Sequence, residues 1–485
     1  MYWPRGRVLG GSLSLNAMVY IRGHALDYDR WSNQEGASGW SYEDCLPYFK
    51  HTERRESGGN QYRGDSGHLG VWTGNTPNPL FDAFIEAGSQ AGYPLSEDLN
   101  GEQQEGFCRM DLTVSGGERC SASKAWLRPL PSDSLDIKTN TMVTRLIFDK
   151  KQCIGARTVN RLQPNGETDI HANEVILCGG AINSPQILLL SGIGDRKHLD
   201  DVGIRTLVNS PGVGANLQDH LEIYVQQKCT KPITLYTAQQ YLPMAKLGIQ
   251  WFLSKNGLCS TSHLEAGAFI RSRCGIPHPN IQFHFLPSLV VDHGRIPGSC
   301  HGYQAHVGPM RPTSVGSIRL KSQNPFEHPI IQPNYLQTEN DREEMRDAVK
   351  LTREIFAQSA FDDFRGDEIA PGESVRSDEE LDEFIRQKAD SAYHPSCSCK
   401  MGNDDQSVVD PSTMRVHGID GLRIVDASVM PSIISGNLNA PVLMMAEKAS
   451  DMILGQTPLS PAKGISVKVF DTRTQRPNSR MSALQ

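Results

Sequence analysis

Residues 174–194, EVILCGGAINSPQILLLSGIG, constrain the fold more than any other stretch of the chain. A short apolar run ends in paired glycines and gives way to an apolar helical segment, the strand, turn and helix order of a nucleotide-binding α/β layer. Asn183 or Ser184 is expected to cap that helix, Pro185 to occupy its first turn and Gly192 to stand beyond its end. GLRIVDAS at 421–428 repeats the strand half and finishes on a carboxylate, Asp426. APVLMMAEKASDMILG at 440–455 adds a helix with Pro441 near its start and Gly455 past its end. Apolar strands of this kind are expected in a parallel sheet covered on both faces.

A second texture interrupts the first. NIQFHFLP and SIRLKS alternate apolar and polar residues, which fits an antiparallel sheet with unlike faces. DREEMRDAVKLTREIFAQ carries apolar residues at helical spacing, and Ser377 with Glu380 forms a capping box ahead of LDEFIRQ. The expected fold class is α/β, a Rossmann-like domain interleaved with an α+β substrate domain built on an antiparallel sheet. Residues 1–75, 116–264 and 392–460 are assigned to the first, 76–115 and 265–391 to the second, and 461–485 to a loosely held polar tail.

Several functional classes drop out. Within 485 residues, 48 basic and 55 acidic side chains give a formal charge of −7, so no electrostatic footprint for nucleic acid exists. No run approaches the ~18 apolar residues of a membrane-spanning helix. The 11 cysteines are odd in number and scattered, as expected of reduced thiols, and Cys397 and Cys399 have neither zinc nor redox spacing. GDSGH at 64–68 lacks the strand–turn–helix elbow of a hydrolase. HLEIY has no second histidine at metal spacing, so no metal site is expected.

The run from Gly6 to Asp29, GRVLGGSLSLNAMVYIRGHALDYD, and the run from Gly180 to Gly194 resemble the two signatures of the glucose-methanol-choline oxidoreductases. The second is matched throughout; the first departs at Leu13, where the family prefers Gly, Ser or Thr. GVGANLQDHLEIYVQQKCTKPITL, ADSAYHPSCSCKMG and VDASVMPSIISGNLNAP extend the resemblance, closest to the family's choline-oxidising members, from residue 2 to about 460.

This resemblance implies a flavoprotein that oxidises an alcohol, with FAD as hydride acceptor and a base for the hydroxyl proton. It makes His394 that base, with Asn437 beside it on the substrate oxygen. Pro395 biases His394 toward extended backbone, and an imidazole titrates near neutrality. Val8 and the Asn16, Ala17, Met18 and Val19 segment are implied to lie against the flavin, Val143 to contact its adenine end through main chain, and Asp426 to stand near the cofactor. Asn439 is expected to cap the helix near Pro441 and turn its N-terminus toward the flavin. Leu15 occupies the position of a covalently linked histidine, so FAD is expected to be noncovalent. Leu13 is expected to place bulk beside the cofactor.

For substrate the resemblance implies choline, oxidised to betaine aldehyde and onward to glycine betaine, with another alcohol as the alternative. A quaternary ammonium is held by carboxylates and aromatic faces, which implicates Glu265, and His284 would assist at the alcohol oxygen. Electrons would pass to a quinone, in a mitochondrial protein peripherally associated with the inner membrane. A G-x-G-x-x-G fingerprint is absent; GVGANL has Leu217 at the third glycine. The FAD domain is therefore expected to be N-terminally incomplete, with a catalytically inactive product as the non-enzymatic alternative.

Overall fold

A computed structural model describes residues 1–131, 133–296 and 298–477, without the side chains of 163–165. The elements that position the site are, in chain order, α1 (Pro79–Gln90), β1 (Gly106–Arg109), β2 (Thr141–Asp149), β3 (Gln152–Asn160), β4 (Gln163–His171), β5 (Val175–Leu177), α2 (Gly180–Leu190), β6 (Leu221–Cys229), α3 (Tyr241–Ser254), β7 (Ala266–Ile270), β8 (Ile281–Leu286), β9 (Gly302–Pro309), α4 (Glu339–Phe356), β10 (Arg365–Ala370), α5 (Asp378–Lys388), β11 (Leu422–Ile424) and α6 (Asn439–Leu454).

The two apolar runs pair as expected. β5 and β11 are parallel, with Val175 opposite Leu422 and Leu177 opposite Ile424. The helices that follow them, α2 and α6, contribute Leu188, Leu189, Met444, Met445 and Ala449 to the same buried cluster. An antiparallel meander, β2–β3–β4, flanks this unit. α2 starts earlier than expected: its cap position is Gly179, so neither Asn183 nor Ser184 caps it and Pro185 lies inside the helix. Proline there cannot bond the carbonyl four residues back, at Ala181. The Ser398 hydroxyl donates to that carbonyl at 2.6 Å, satisfying the acceptor. The Ser184 hydroxyl accepts from Gly179 N at 3.0 Å instead of capping.

The second unit is a sheet in the order β10–β6–β9–β8–β7–β1, antiparallel throughout. Strand alternation gives it two unlike faces. Val225, Ala305, Phe285 and Ala266 share one face with Ile223, Val307, Phe283 and Ala268. That face packs on Phe81 and Phe84 of α1, Met345 and Val349 of α4 and Leu381 of α5. Phe84 stacks on Phe285 with ring centroids 4.7 Å apart. Each such large apolar side chain contributes about 1.5–3 kcal/mol through burial. The opposite face is polar and partly to fully buried: Tyr224, His306, His284 and Gly267 form one row across four strands, with Gln226 and Gln304 paired in the next. β6 falls inside the 116–264 segment, yet its apolar side chains sit in the substrate-sheet core.

The polar segment after α6 is not loosely held as far as residue 477. Ala462 N bonds Glu43 O, Lys468 N bonds Glu102 O and Gly275 N bonds Thr472 O. Gln475 Nε2 donates to the Ser272 carbonyl at 2.6 Å. Backbone groups that would otherwise need water are thus paired across the surface of the body. Residues 478–485 of the expected tail lie outside the described residues.

Candidate active site

The site forms where β6 begins. Residues 218–222 run antiparallel to 390–396: Leu221 is opposite Ser391, Glu222 opposite Asp390 and Gln218 opposite Ser396. This pairing sets His220 beside His394, their Nδ1 atoms 3.0 Å apart. His220 Nε2 meets the Met310 carbonyl at 3.1 Å, and a carbonyl only accepts, so Nε2 carries the His220 proton. Neutral His220 therefore accepts at Nδ1, His394 donates from Nδ1, and the lone pair of His394 lies on Nε2. Asn437 Nδ2 donates to that lone pair at 3.2 Å.

Asn437 is itself oriented. Its Oδ1 lies 3.0 Å from Gln282 Nε2 and 3.2 Å from His284 Nε2. The loop carrying it presses against the chain near Ile21: a Cβ on Gly436, at φ +144°, would come within 2.5 Å of Ile21 Cγ2. The His394 backbone is fixed by Asp219, whose carboxylate accepts from His394 N at 2.7 Å and from the Ser391 and Tyr335 hydroxyls. Burial pushes the Asp219 carboxyl up to about 6 against these donors and Arg5. Burial also holds His394 well below the ordinary imidazole value, assisted by His220, His284 and Arg5, and holds His220 at about 4. Burial keeps these imidazoles neutral, and the His394 Nε2 lone pair, met by Asn437 Nδ2, is the atom of the cluster that can take a hydroxyl proton.

The structure thus brings together His394, Asn437 and His284. Glu265 lies on the same sheet face, two residues along β7's approach from Gly267, which is opposite His284. It is fully buried, and its oxygens accept from Thr76 N at 2.7 Å, Thr76 Oγ1 at 2.6 Å and Thr261 Oγ1 at 2.7 Å. None of these bonds reaches the His394 cluster. Glu222 is nearer that cluster, within the paired segment itself. Its Oε1 is 3.3 Å from His306 Nδ1, and the Tyr224 ring lies 4.1 Å from that of His306. Burial works against the Glu222 carboxylate, but His306 and His284 more than offset it and its pKa is lowered. His220, Asp219, Glu222 and Gln282 escape a reading by motif; alternation in LEIYVQ, with Leu221, Ile223 and Val225 turned inward, is the signal that isolates Glu222 and Tyr224.

The residues implied for the cofactor fall in four places. Gly10, at φ +89°, leads into a short 3-10 turn, Gly11–Ser14. Beyond it Asn16 Oδ1 accepts from Met18 N at 3.0 Å and Arg119 Nη1 at 2.9 Å. Val8 and Ala17 are exposed, Met18 is half-buried and Val19 is buried. Leu13 does not add bulk to this surface: it is 5% exposed and packs in the core, whereas Leu15 is 62% exposed. Val143 lies in β2 opposite Thr158. Asp426 locks the glycine turn before α2, accepting from Gly180 N at 2.9 Å and Ser428 N at 2.8 Å.

Asn439 is the first residue of α6, not its cap. The cap position is Leu438, with no side-chain bond. Pro441 lacks an N–H, and Val442 N is already committed to the Leu438 carbonyl, so a cap at Asn439 would find no donor. Asn439 Nδ2 and Gln282 Oε1 are buried without a partner. An orphaned amide at the N-terminus of α6 and another orphaned polar atom on the sheet beside it, together with the open turn at Gly11 and exposed Val8, Leu15 and Ala17, fit a flat cofactor with polar edges. Among the described residues, no group of three potential ligands could hold a metal ion.

Residues 1–222 and 312–446 match the two family models described as GMC oxidoreductase. The chain belongs to the GMC oxidoreductase family. It is 57% identical over 464 residues to "Choline dehydrogenase, mitochondrial" of Homo sapiens, covering 95% of this chain and 77% of that one. It is 49% identical over 472 residues to "Oxygen-dependent choline dehydrogenase" of Photobacterium profundum, covering 95% and 82%. Among solved structures, pyridoxine 4-oxidase from Mesorbium loti superposes with a TM-score of 0.84 at 32% identity, over 94% of this chain and 85% of that one. Formate oxidase of Aspergillus oryzae RIB40, described with FAD modification, gives 0.86 at 25% identity, over 93% and 84%. The GMC fold, an α/β cofactor layer joined to an antiparallel substrate sheet, is the fold of this chain.

Proposed function

We propose that this GMC oxidoreductase oxidises choline to betaine aldehyde, and onward to glycine betaine, with His394 as base. The observation that carries the reading is the convergence of the His394 Nε2 lone pair and Asn437 Nδ2, 3.2 Å apart, on the polar face of the substrate sheet. A substrate hydroxyl at that point gives its proton to Nε2 and accepts from the Asn437 amide, which steadies the alkoxide as it forms. His220 keeps the His394 lone pair on Nε2, and Asp219 keeps the His394 backbone in place.

FAD, when bound, supplies the hydride acceptor that no side chain provides. Val8, Asn16, Ala17, Met18, Val19, Val143, Asp426 and Asn439 would hold it, noncovalently at Leu15. The trimethylammonium group is held on the same sheet face by a buried carboxylate. Glu265 is one such group. Glu222 is favoured by its place in the strand pair that carries His394 and by the Tyr224 and His306 rings beside it. A quinone takes the electrons, and the protein works in the mitochondrion, peripherally associated with a membrane; similarity to the mitochondrial human relative supports the compartment. The test is choline turnover with an artificial acceptor by the flavin-loaded protein. Loss of turnover in His394→Ala with flavin content intact supports the assignment, and unchanged turnover refutes it.

A further inference from the structure

One helix turns most of its apolar side chains away from the protein. In α3, YLPMAKLGIQWFLS, no residue is buried. Leu242, Phe252 and Leu253 are 84%, 74% and 77% exposed, and Tyr241, Met244 and Ile249 are exposed as well. At ~100° per residue these six side chains fall within about half of the helix circumference, with Lys246 at the margin. The helix is nevertheless anchored: Trp251 Nε1 donates to the Gly117 carbonyl at 2.8 Å. Lys255, just past its end, pairs with Glu118 at 3.0 Å and lies 3.7 Å from the Trp251 ring centroid. A water-facing apolar stripe on a fixed helix is costly unless something covers it.

The charge pattern selects the cover. Between Glu222 and Glu265 the chain carries no aspartate or glutamate, although the whole chain has a formal charge of −7. Of its four lysines Lys246 lies on α3 and Lys255 just past it, paired with Glu118, while Lys228 and Lys231 belong to β6 and the turn after it. A basic, acid-free segment bearing an apolar helical face is the composition of a helix that lies in a membrane interface. Its length agrees: among the described residues no helix is long and apolar enough to cross a membrane.

We infer that α3 docks the protein on an anionic lipid surface, burying Leu242, Phe252 and Leu253 among the acyl chains with Lys246 at the headgroups. This rests on the peripheral association proposed above and gives it a structural element. The helix is also tied to the hairpin that holds the Asn16 segment. Gly117 and Glu118 belong to the hairpin whose next residue, Arg119, donates to the Asn16 carbonyl at 2.7 Å. A docked α3 would thereby connect the lipid surface, through this hairpin, to the segment proposed to hold the cofactor.

The test is co-sedimentation of the flavin-loaded protein with vesicles of phosphatidylcholine alone or phosphatidylcholine mixed with phosphatidylserine. The wild-type protein is expected to bind the anionic vesicles, and the triple variant Leu242→Glu, Phe252→Glu, Leu253→Glu to lose partitioning by roughly tenfold or more. Lys246→Gln should lower it about fivefold on anionic vesicles. All three sites are exposed, so choline turnover with a soluble acceptor and flavin content should be retained. If wild type binds no vesicle, both the association and the role of α3 fail. If the triple variant binds as wild type does, only α3 is overturned. A lipid-free dimer that the triple variant converts to monomer would show that a second copy covers the face, and would overturn the proposal.

Discussion

His394 and His220 meet through their Nδ1 atoms at 3.0 Å, and the opposite nitrogen of His220 is spent on the Met310 carbonyl. The pair therefore has one proton arrangement when both rings are neutral, and it leaves the reactive lone pair on His394 Nε2. His220→Gln, which removes this directional acceptor, is expected to lower kcat about tenfold or more with KM little changed. His394→Ala should cost about 100- to 10,000-fold. Steady-state kinetics with matched flavin content separates the two; a larger loss in His220→Gln than in His394→Ala would contradict the roles.

The buried histidines make stability fall in acid. Burial lowers His220 to about 4 and lowers His394, His284 and His278 too, each relative to an ordinary value near 6.5. Groups whose folded pKa is depressed contribute full stability above the unfolded pKa and lose it as pH falls toward the folded value. His220 alone accounts for about 3 kcal/mol over that window. Asp219, raised to about 6 by burial, acts in the opposite sense and gains stability as pH falls through that value. Four lowered histidines outweigh one raised carboxyl, so the melting temperature is expected to drop from pH 7 to pH 5 and His220→Gln to flatten the slope. A melting temperature that stays level over that range would contradict the buried neutral state.

Two carboxylates on the polar sheet face make opposite predictions. Glu222→Gln should raise KM for choline by roughly tenfold or more, with little effect on the uncharged isostere in which carbon replaces nitrogen. Glu265→Gln is expected to be the weaker effect, because Thr76 and Thr261 already occupy its oxygens. The reverse order of effects would return the cation to Glu265.

Much of the fold is legible because hydrophobic period reports burial directly. β5 and β11 stand out as apolar runs, β8 as an alternating one, and the capping box at Ser377 and Glu380 is present as read. His394, Asn437 and His284, which the motifs single out, lie in one hydrogen-bonded cluster. His220, Asp219 and Glu222 do not show in the sequence because their neighbours lie some 170 residues away, in the 390–396 segment, and only pairing across the two units brings them near. α2 and α6 start before the residues that local capping rules point to, for a related reason. At α2 the distant Asp426 carboxylate accepts from Gly180 N and from the Ser184 hydroxyl, which itself accepts from Gly179 N, so Ser184 ties the turn to Asp426 and the helix starts at Gly180.

The Ser398 bond is itself testable. Ser398→Ala leaves the buried Ala181 carbonyl without a donor and should cost about 1–3 kcal/mol in denaturant unfolding. Pro185→Ala returns an N–H four residues along, so the same serine change made in that background should cost clearly less. Equal costs in the two backgrounds would show that the hydroxyl does not replace the missing helix bond.

The most direct test of the functional account is anaerobic addition of choline to the purified, flavin-loaded protein while the visible flavin absorbance is followed. Choline should bleach the absorbance in the wild-type protein and, on the same timescale, leave His394→Ala yellow. Flavin that choline does not bleach in the wild-type protein, or that bleaches equally in both proteins, would contradict the account.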